Sequence, residues 1–393
     1  MAIDSRLSER LEKIQPSSTL AITSKAKKLK SEGKDVISLA AGEPDFDTPG
    51  FIKDAAIEAI KSGFTKYTPT TGILELKTAI CNKLRKDNGL EYSPNQIVVS
   101  CGAKHSIFNA LFVLLNVGDE VLVPSPYWVS YPEMINLCSG KVRIIPTSRE
   151  NEFKVTIRDL HKYISRKTKI LILNSPSNPA GAVYTLDELE QIAKLCVSKK
   201  ILIISDEIYE KIIFDNCKHV SIASFGKEVS NNTITVNGVS KTYSMTGWRI
   251  GYLAAPQDIV DAVSKMQDHT TSNPASISQK ASLAALNAPE DFTQKMCQEF
   301  QKRRDYIVGR LKNMKKISFV MPHGAFYIFC DISKLNMGSV NFANRLLEEK
   351  LVALIPGDSF GRDDFVRISF ATNIEQLKIA MDRMEGWFNM GKF

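Results

Sequence analysis

A lysine and an arginine eight positions apart stand out in residues 236–252, VNGVSKTYSMTGWRIGY. Lys241 follows a short apolar run and a serine. A lysine whose amine pKa is lowered is the nucleophile that forms Schiff bases with aldehyde cofactors. Arg249 sits in a glycine-flanked turn, where a guanidinium suits bidentate phosphate binding. A surface lysine and a structural arginine fit the same letters. Asp206 follows the apolar run ILIIS and precedes EIYE. At the carboxyl end of a covered strand its carboxylate would be half buried and need a cationic partner, such as a protonated pyridine nitrogen. Tyr209 could reach the same ligand if the chain turns there. A helix-capping aspartate beside a core tyrosine is the plainer alternative.

Three further stretches follow apolar runs. Residues 174–181, NSPSNPAG, form a loop stiffened by proline and glycine, in which the Asn178 amide can donate to a phenolic oxygen. By itself an N-P-x-G turn means little. Residues 100–104, SCGAK, place Gly102 and Ala103 at a helix amino terminus, where free N–H groups attract anions. The spacing is not G-x-G-x-x-G, so a dinucleotide site is disfavoured. Residues 124–128, PSPYW, offer Trp128 as a plate on which a planar ring could stack, although ordinary core packing explains an aromatic equally well.

These stretches need elements to position them. Residues 35–39, 96–100, 120–123, 142–145, 168–173, 201–205 and 233–236 read as strands, and KILIL and ILIIS are continuous apolar runs of the kind covered on both faces. Helical patterns at 49–63, 74–88, 104–115 and from about 131 are interspersed with them. The alternation implies an α/β fold with a mostly parallel sheet flanked by helices, in which ligands gather outside the carboxyl ends of the strands. From about residue 289 the texture changes to a long charged helix (291–315), a strand pair broken at Pro322-His323-Gly324, a short strand near 352–355, a strand at 365–369 and a closing helix. That is the pattern of a smaller α+β domain. The expected division is an amino-terminal arm and part of the small domain at 1–48, a large domain at 49–288, and the small domain at 289–393.

Bulk properties exclude several classes. Lys+Arg 51 against Asp+Glu 43 leaves +8, but the basic clusters carry no interleaved aromatics and read as solvated helix faces, so no nucleic-acid partner is expected. Seven cysteines, an odd number with no C-x-x-C, point to free thiols, and five scattered histidines to no metal site. No apolar run reaches the ~20 residues a membrane span needs. The amino terminus lacks a signal-peptide core, so a soluble cytoplasmic protein is expected.

Taken in order, AAGEPDFDTP (40–49), SPYWVSYPEM, NSPSNPAGAVY, SDEIYE, SKTYSMTGWRIGY and the arginine of FVRIS (365–369) resemble the class I aminotransferases of pyridoxal-phosphate fold type I, closest to the bacterial-type (Ib) aspartate aminotransferases. The resemblance covers nearly the whole chain. It implies a pyridoxal 5'-phosphate cofactor, amino acid and 2-oxo acid substrates, and a homodimer. By the same resemblance Lys241 would hold the cofactor as a Schiff base and shuttle the proton. Asp206 would keep the ring nitrogen protonated, while Tyr209 and Asn178 hydrogen-bond the phenolic oxygen. Trp128 would stack on the ring. Gly102, Ala103, Lys104, Ser240 and Arg249 would surround the phosphate, with Tyr67 reaching it from a second subunit. Arg367 would clamp the substrate α-carboxylate, aided by the Gly42 backbone, with Trp128 and Asn178 also near the substrate.

Two positions depart from the family pattern. Gly238 stands where many members carry a phosphate-binding serine, and His105 follows Lys104 where a glutamine is usual. In the Ib branch, a lysine matching Lys104 and hydroxyls matching Ser17 or Thr19 accompany a distal substrate carboxylate. The implied reaction is therefore amino transfer between L-aspartate and 2-oxoglutarate, with prephenate or aromatic amino acids as the alternative on the same scaffold.

Overall fold

The structure, a computed structural model, describes residues 18–390 together with the isolated positions 6, 8 and 14. Ser17 and the side chain of Thr19 lie outside the described residues. The carboxyl-end cluster of the sequence is built on a seven-stranded sheet. Its spatial order is Ile97–Ser100, Gly251–Ala254, Thr233–Gly238, Leu202–Asp206, Thr168–Asn174, Glu120–Ser125 and Lys141–Pro146. All neighbours run parallel except Gly251–Ala254, which is antiparallel to both of its partners.

The apolar runs explain the burial. Every residue of Thr233–Gly238 is buried, and four of the five in Leu202–Asp206. Helices cover both faces: Ile107, Leu111 and Val263 pack on one side with Val98 and Ile204, and Leu189, Ile192 and Ala193 on the other with Leu171 and Ile203. Register then brings the strand ends together. Asn174 pairs with Asp206, and Asp206 with Val236, so the loops after three adjacent strands open on one edge.

A second sheet, all antiparallel, runs Ile355–Pro356, Phe365–Ser369, Tyr327–Asp331 and Ser318–Phe319. Its core includes Phe326, Phe342, Met381 and Trp387, and takes in Ile22, Ala26, Ile37 and Leu39 from the amino-terminal side. The single strand expected near 352–355 is two short pieces. Val352–Ala353 pairs in parallel with Ile37–Ser38, and Ile355–Pro356 joins the second sheet. The chain changes partner at Leu354, which a one-dimensional apolar run does not reveal. Among the described residues no helix is long and apolar enough to cross a membrane.

Candidate active site

A cavity of about 380 Å³ opens at the carboxyl edge of the large sheet. It is lined by Gly42, Ala103, Lys104, Trp128, Asn178, Asp206, Tyr209, Ser240, Lys241, Arg249 and Arg367, so eleven of the thirteen residues singled out from sequence converge there. Gly102 and Tyr67 are not among its walls.

Lys241 comes off the loop after Thr233–Gly238, and its Nζ donates to the Gly42 carbonyl. Enclosure in the cavity lowers its pKa to about 8. Glu43 opposes that shift, and Arg367 and Arg249 add to it. The amine therefore exists partly as free base near neutrality, as a nucleophile or proton shuttle needs. Asp206 ends its strand on the cavity floor. Burial pushes its carboxyl up to about 6, against the hydrogen bonds it accepts from the Tyr131 hydroxyl (2.6 Å) and the Ile208 amide (3.3 Å). It forms no ion pair among the described residues, so a cation is the partner it lacks.

Tyr209, Tyr327 and Arg367 are linked by contacts within the cavity lining. Tyr209 and Tyr327 share a 2.9 Å hydrogen bond between hydroxyls, and burial raises both phenols. The Arg367 guanidinium lies 4.3 Å from the Tyr327 ring centroid and donates to Asn178 Oδ1 (3.1 Å) and the Ala40 carbonyl (2.8 Å). Its buried Nε has no hydrogen-bond partner among the described residues. With Asn178 Oδ1 occupied by Arg367, the Asn178 NH₂ group remains a donor. A buried arginine held only by neutral acceptors lacks an anionic partner, and a carboxylate has the matching geometry.

At the other end, the helix Ala103–Leu114 presents its amino terminus. The Gly102 amide donates to the Ser100 carbonyl (2.7 Å), so it is not the free donor the sequence suggested. The open amides are those of Ala103 and Lys104, in the first helical turn. Gly102 acts through its missing side chain: at φ +92° an added Cβ would fall 2.5 Å from Arg249 Nη2. Arg249 takes a left-handed backbone (φ 56°) and donates to the Thr246 and Cys101 carbonyls at 3.0 and 3.2 Å. Lys104 Nζ lies 4.9 Å from the Trp128 ring centroid, and its pKa is lowered by desolvation first and by Arg249 second.

Both departures from the family pattern acquire a physical account. A Cβ on Gly238 would lie 3.0 Å from Gly251 Cα and from the Ile250 carbonyl, so a serine there would crowd the antiparallel neighbour. Thr246 lines the cavity and carries a hydroxyl, which donates to Glu43 at 2.7 Å. The His105 Nδ1 accepts the Cys101 amide at 3.2 Å, tying down the turn that leads into the helix.

Sequence reasoning missed Thr23, Asn174, Tyr131, Thr246 and Tyr327. Asn174 ends the strand KILILN and donates to the Asp206 carbonyl at 3.0 Å, so its place at a strand end was the available signal. Tyr131 and Tyr327 carried no such signal. Tyr67 is 92% exposed and lies outside this cavity.

A family model described as Aminotransferase class I and II matches residues 34–384. The chain is 48% identical over 384 residues to an aspartate aminotransferase of Bacillus sp. (strain YM-2), covering 96% of this chain and 98% of that one. It is 46% identical over 385 residues to a probable aspartate/prephenate aminotransferase of Aquifex aeolicus, with 96% and 98% covered. Among solved structures, it superposes on the aspartate aminotransferase of Rhizobium meliloti with a TM-score of 0.94 at 40% identity, covering 98% of each chain. The Thermus thermophilus aspartate aminotransferase with maleate gives 0.93 at 40% identity, covering 96% and 98%.

Proposed function

The chain belongs to the class I and II aminotransferases, enzymes that transfer amino groups, and from that premise we propose that it exchanges amino groups between L-aspartate and 2-oxoglutarate on pyridoxal 5'-phosphate, giving oxaloacetate and L-glutamate. One observation carries this reading. Arg249 and Arg367 both lie close enough to depress the Lys241 amine, and neither is paired with a carboxylate among the described residues. Two unneutralised guanidiniums in one cavity call for two anionic groups, a phosphate and a substrate carboxylate.

The residues present fit the cofactor: a buried Asp206 without a cation, a free lysine amine, and a helix amino terminus whose Gly102 leaves room for Arg249. When bound, pyridoxal phosphate supplies an aldehyde that condenses with amines and a ring that withdraws electrons from the substrate α-carbon. In this reading Lys241 Nζ would anchor the cofactor and, as a free amine, would accept the proton leaving the substrate α-carbon and hold it on Nζ; a pKa of about 8 suits both tasks. Asp206 stays ionised and holds a proton on the ring nitrogen. The Tyr209 hydroxyl and Asn178 amide would donate to the phenolic oxygen, and Trp128 would stack on the ring. Arg249, Ser240 and the Ala103 and Lys104 amides bind phosphate. Arg367 orients the α-carboxylate beside the Gly42 backbone, and the Lys104 ammonium meets the distal carboxylate. A relative solved with maleate, a dicarboxylate, supports a dicarboxylic substrate.

Assembly belongs to the same reading. Tyr67 serves a neighbour's cavity in a homodimer, and Phe51, Ile57 and Ile60, exposed on the helix Gly50–Lys61, give that dimer an apolar face. The division at 1–48, 49–288 and 289–393, with the small unit closing over substrate, and a cytoplasmic location complete the proposal. A second reading, use of prephenate, is favoured by relatives named for both substrates, and prephenate also carries two carboxylates. The test is borohydride reduction of the yellow purified protein followed by peptide mapping, with a panel of amino donors against 2-oxoglutarate. A pyridoxyl label on Lys241 and preference for aspartate are expected. A label on another lysine overturns the central assignment.

A further inference from the structure

The turn that follows Leu202–Asp206 faces two ways. Asp206 and Tyr209 line the cavity, whereas Glu207 and Glu210 are buried and turn away from it. Glu207, fully buried, accepts the Ser205 and Ser221 hydroxyls on Oε1 at 2.9 and 2.7 Å. Its Oε2 meets His219 Nε2 at 3.0 Å and the Asn88 amide at 3.4 Å. Glu210 contacts the Lys83 ammonium and accepts from Asn88 at 2.7 Å, with His219 Nε2 at 3.9 Å.

Glu207, Glu210 and His219 lie near enough to ligate a metal ion, but Lys83 already holds Glu210, and the donors on Glu207 fill both of its oxygens. The cluster is instead close to charge balance. Lys83 answers Glu210, and among the described residues His219 is the only ion-pair partner of Glu207. The charged groups facing His219 are Glu207, Glu210 and Lys83, with Asp87, Tyr92, Tyr243 and Tyr252 around the cluster. Burial opposes a charge on His219, yet the two carboxylates outweigh burial and raise its pKa. Its Nδ1 has no hydrogen-bond partner among the described residues, so the charge rests on those two carboxylates.

We propose that His219 is a positioning residue for the reaction: by neutralising Glu207 behind the sheet, it keeps the adjacent Asp206 anionic and the cofactor's ring nitrogen protonated. This rests on the reading of Asp206 as the ring-nitrogen partner. Glu207 is the next residue along the chain, and its charge already pushes the Asp206 carboxyl upward, second to burial among the raising influences. Without His219 that push is uncompensated. The proton shared between ring nitrogen and Asp206 then moves toward the carboxylate, because the added negative charge lies nearer to Asp206.

The experiment reads the shared proton directly. Holoenzyme is loaded with pyridoxal phosphate carrying 15N in the ring, whose chemical shift separates a protonated from an unprotonated nitrogen. His219→Gln is expected to move the shift toward the unprotonated value and to lower kcat about tenfold, the equivalent of one pKa unit. Glu207→Gln should leave the nitrogen protonated. The double variant removes both charges together, so no unpaired ion is buried, and it should restore the wild-type shift even if His219→Gln alone folds poorly. A purely packing role would leave the shift unmoved in His219→Gln, or leave the double variant as displaced as the single, and either result overturns the proposal. Asp206→Asn serves as the separate control. If its ring nitrogen stays protonated, the reading of Asp206 itself fails, whatever His219 does.

Discussion

Replacing Tyr131 by phenylalanine isolates one hydroxyl in this site. Phenylalanine keeps the ring and its edge contact with Trp128, at 5.3 Å between centroids, and deletes only the donor 2.6 Å from Asp206 Oδ2. A hydrogen bond to a charged group contributes about 1.5–3 kcal/mol, which corresponds to about one to two pKa units on the acceptor. The Asp206 carboxyl of the cofactor-free protein is already pushed up to about 6 by burial, so the variant carries it through neutrality. In the holoenzyme the more basic carboxylate competes better for the ring proton, and kcat at pH 8 should fall about ten- to a hundredfold. The cofactor-free protein supplies an independent check. Asp206 has a raised folded pKa, so in the parent chain the cost of ionising it is absent below the ordinary carboxylate range, grows from there to about 6 and is complete above it, whereas in the variant it goes on growing above 6. The melting temperature of Tyr131→Phe should therefore trail that of the parent chain more at pH 8 than at pH 5. Turnover within twofold of the parent, or a melting gap that is equal at the two pH values, would refute this reasoning.

Other measurements bear on the remaining parts of the site. Lys104→Met should cost about two decades in kcat/KM for aspartate while sparing phenylalanine, because one partner of a desolvated pair is lost; equal losses would assign Lys104 to phosphate alone. Uptake of pyridoxal phosphate by the cofactor-free protein should quicken about tenfold between pH 7 and pH 9, as the Lys241 amine with a pKa of about 8 loses its proton; a flat profile over that range removes Lys241 as the attacking amine. Gly102→Ala should weaken cofactor binding at least tenfold, since its Cβ meets Arg249 Nη2 and its backbone is left-handed; unchanged affinity would show that Arg249 can move aside without loss. Light scattering of the active holoenzyme should give twice 43.8 kDa, and a fully active monomer would end the shared-site role of Tyr67.

What could be read from the letters alone has a common physical origin. KILIL and ILIIS are strands covered on both faces, so their apolar runs are continuous and their ends fall at a polar residue, Asn174 in one and Asp206 in the other. Residues at such ends are brought together by register rather than by any long-range code, which is why Asp206, Asn178 and Lys241 could be singled out before the fold was known. The strand Gly251–Ala254 escaped notice because it is short, starts on a glycine and runs against the sheet direction. Tyr327 lies 118 residues from the Tyr209 it touches, and Tyr131 lies 75 from Asp206. Neither pairing leaves a local pattern, since each depends on how one sheet stands against another element. Gly102 was noticed for its amide, yet it matters for the side chain it lacks, a distinction that only the approach of Arg249 reveals.

Charge is distributed in layers across the sheet edge. The cavity is cationic, with Lys104, Lys241, Arg249 and Arg367 against the single floor carboxylate of Asp206. Behind that floor, Glu207 and Glu210 are matched by His219 and Lys83, so the rear layer adds little net field of its own. In the proposed reading, the anionic cofactor and substrates would neutralise the front layer on binding, while the paired rear layer would leave Asp206 anionic. It also separates the roles within S-D-E-I-Y-E: Asp206, Ile208 and Tyr209 line the cavity, while Glu207 and Glu210 turn to the counterions behind it. A substitution that leaves Glu207 unmatched, His219→Gln, should thus alter the ring-nitrogen proton without touching any group that meets substrate, and it is by that signature that the two layers can be told apart.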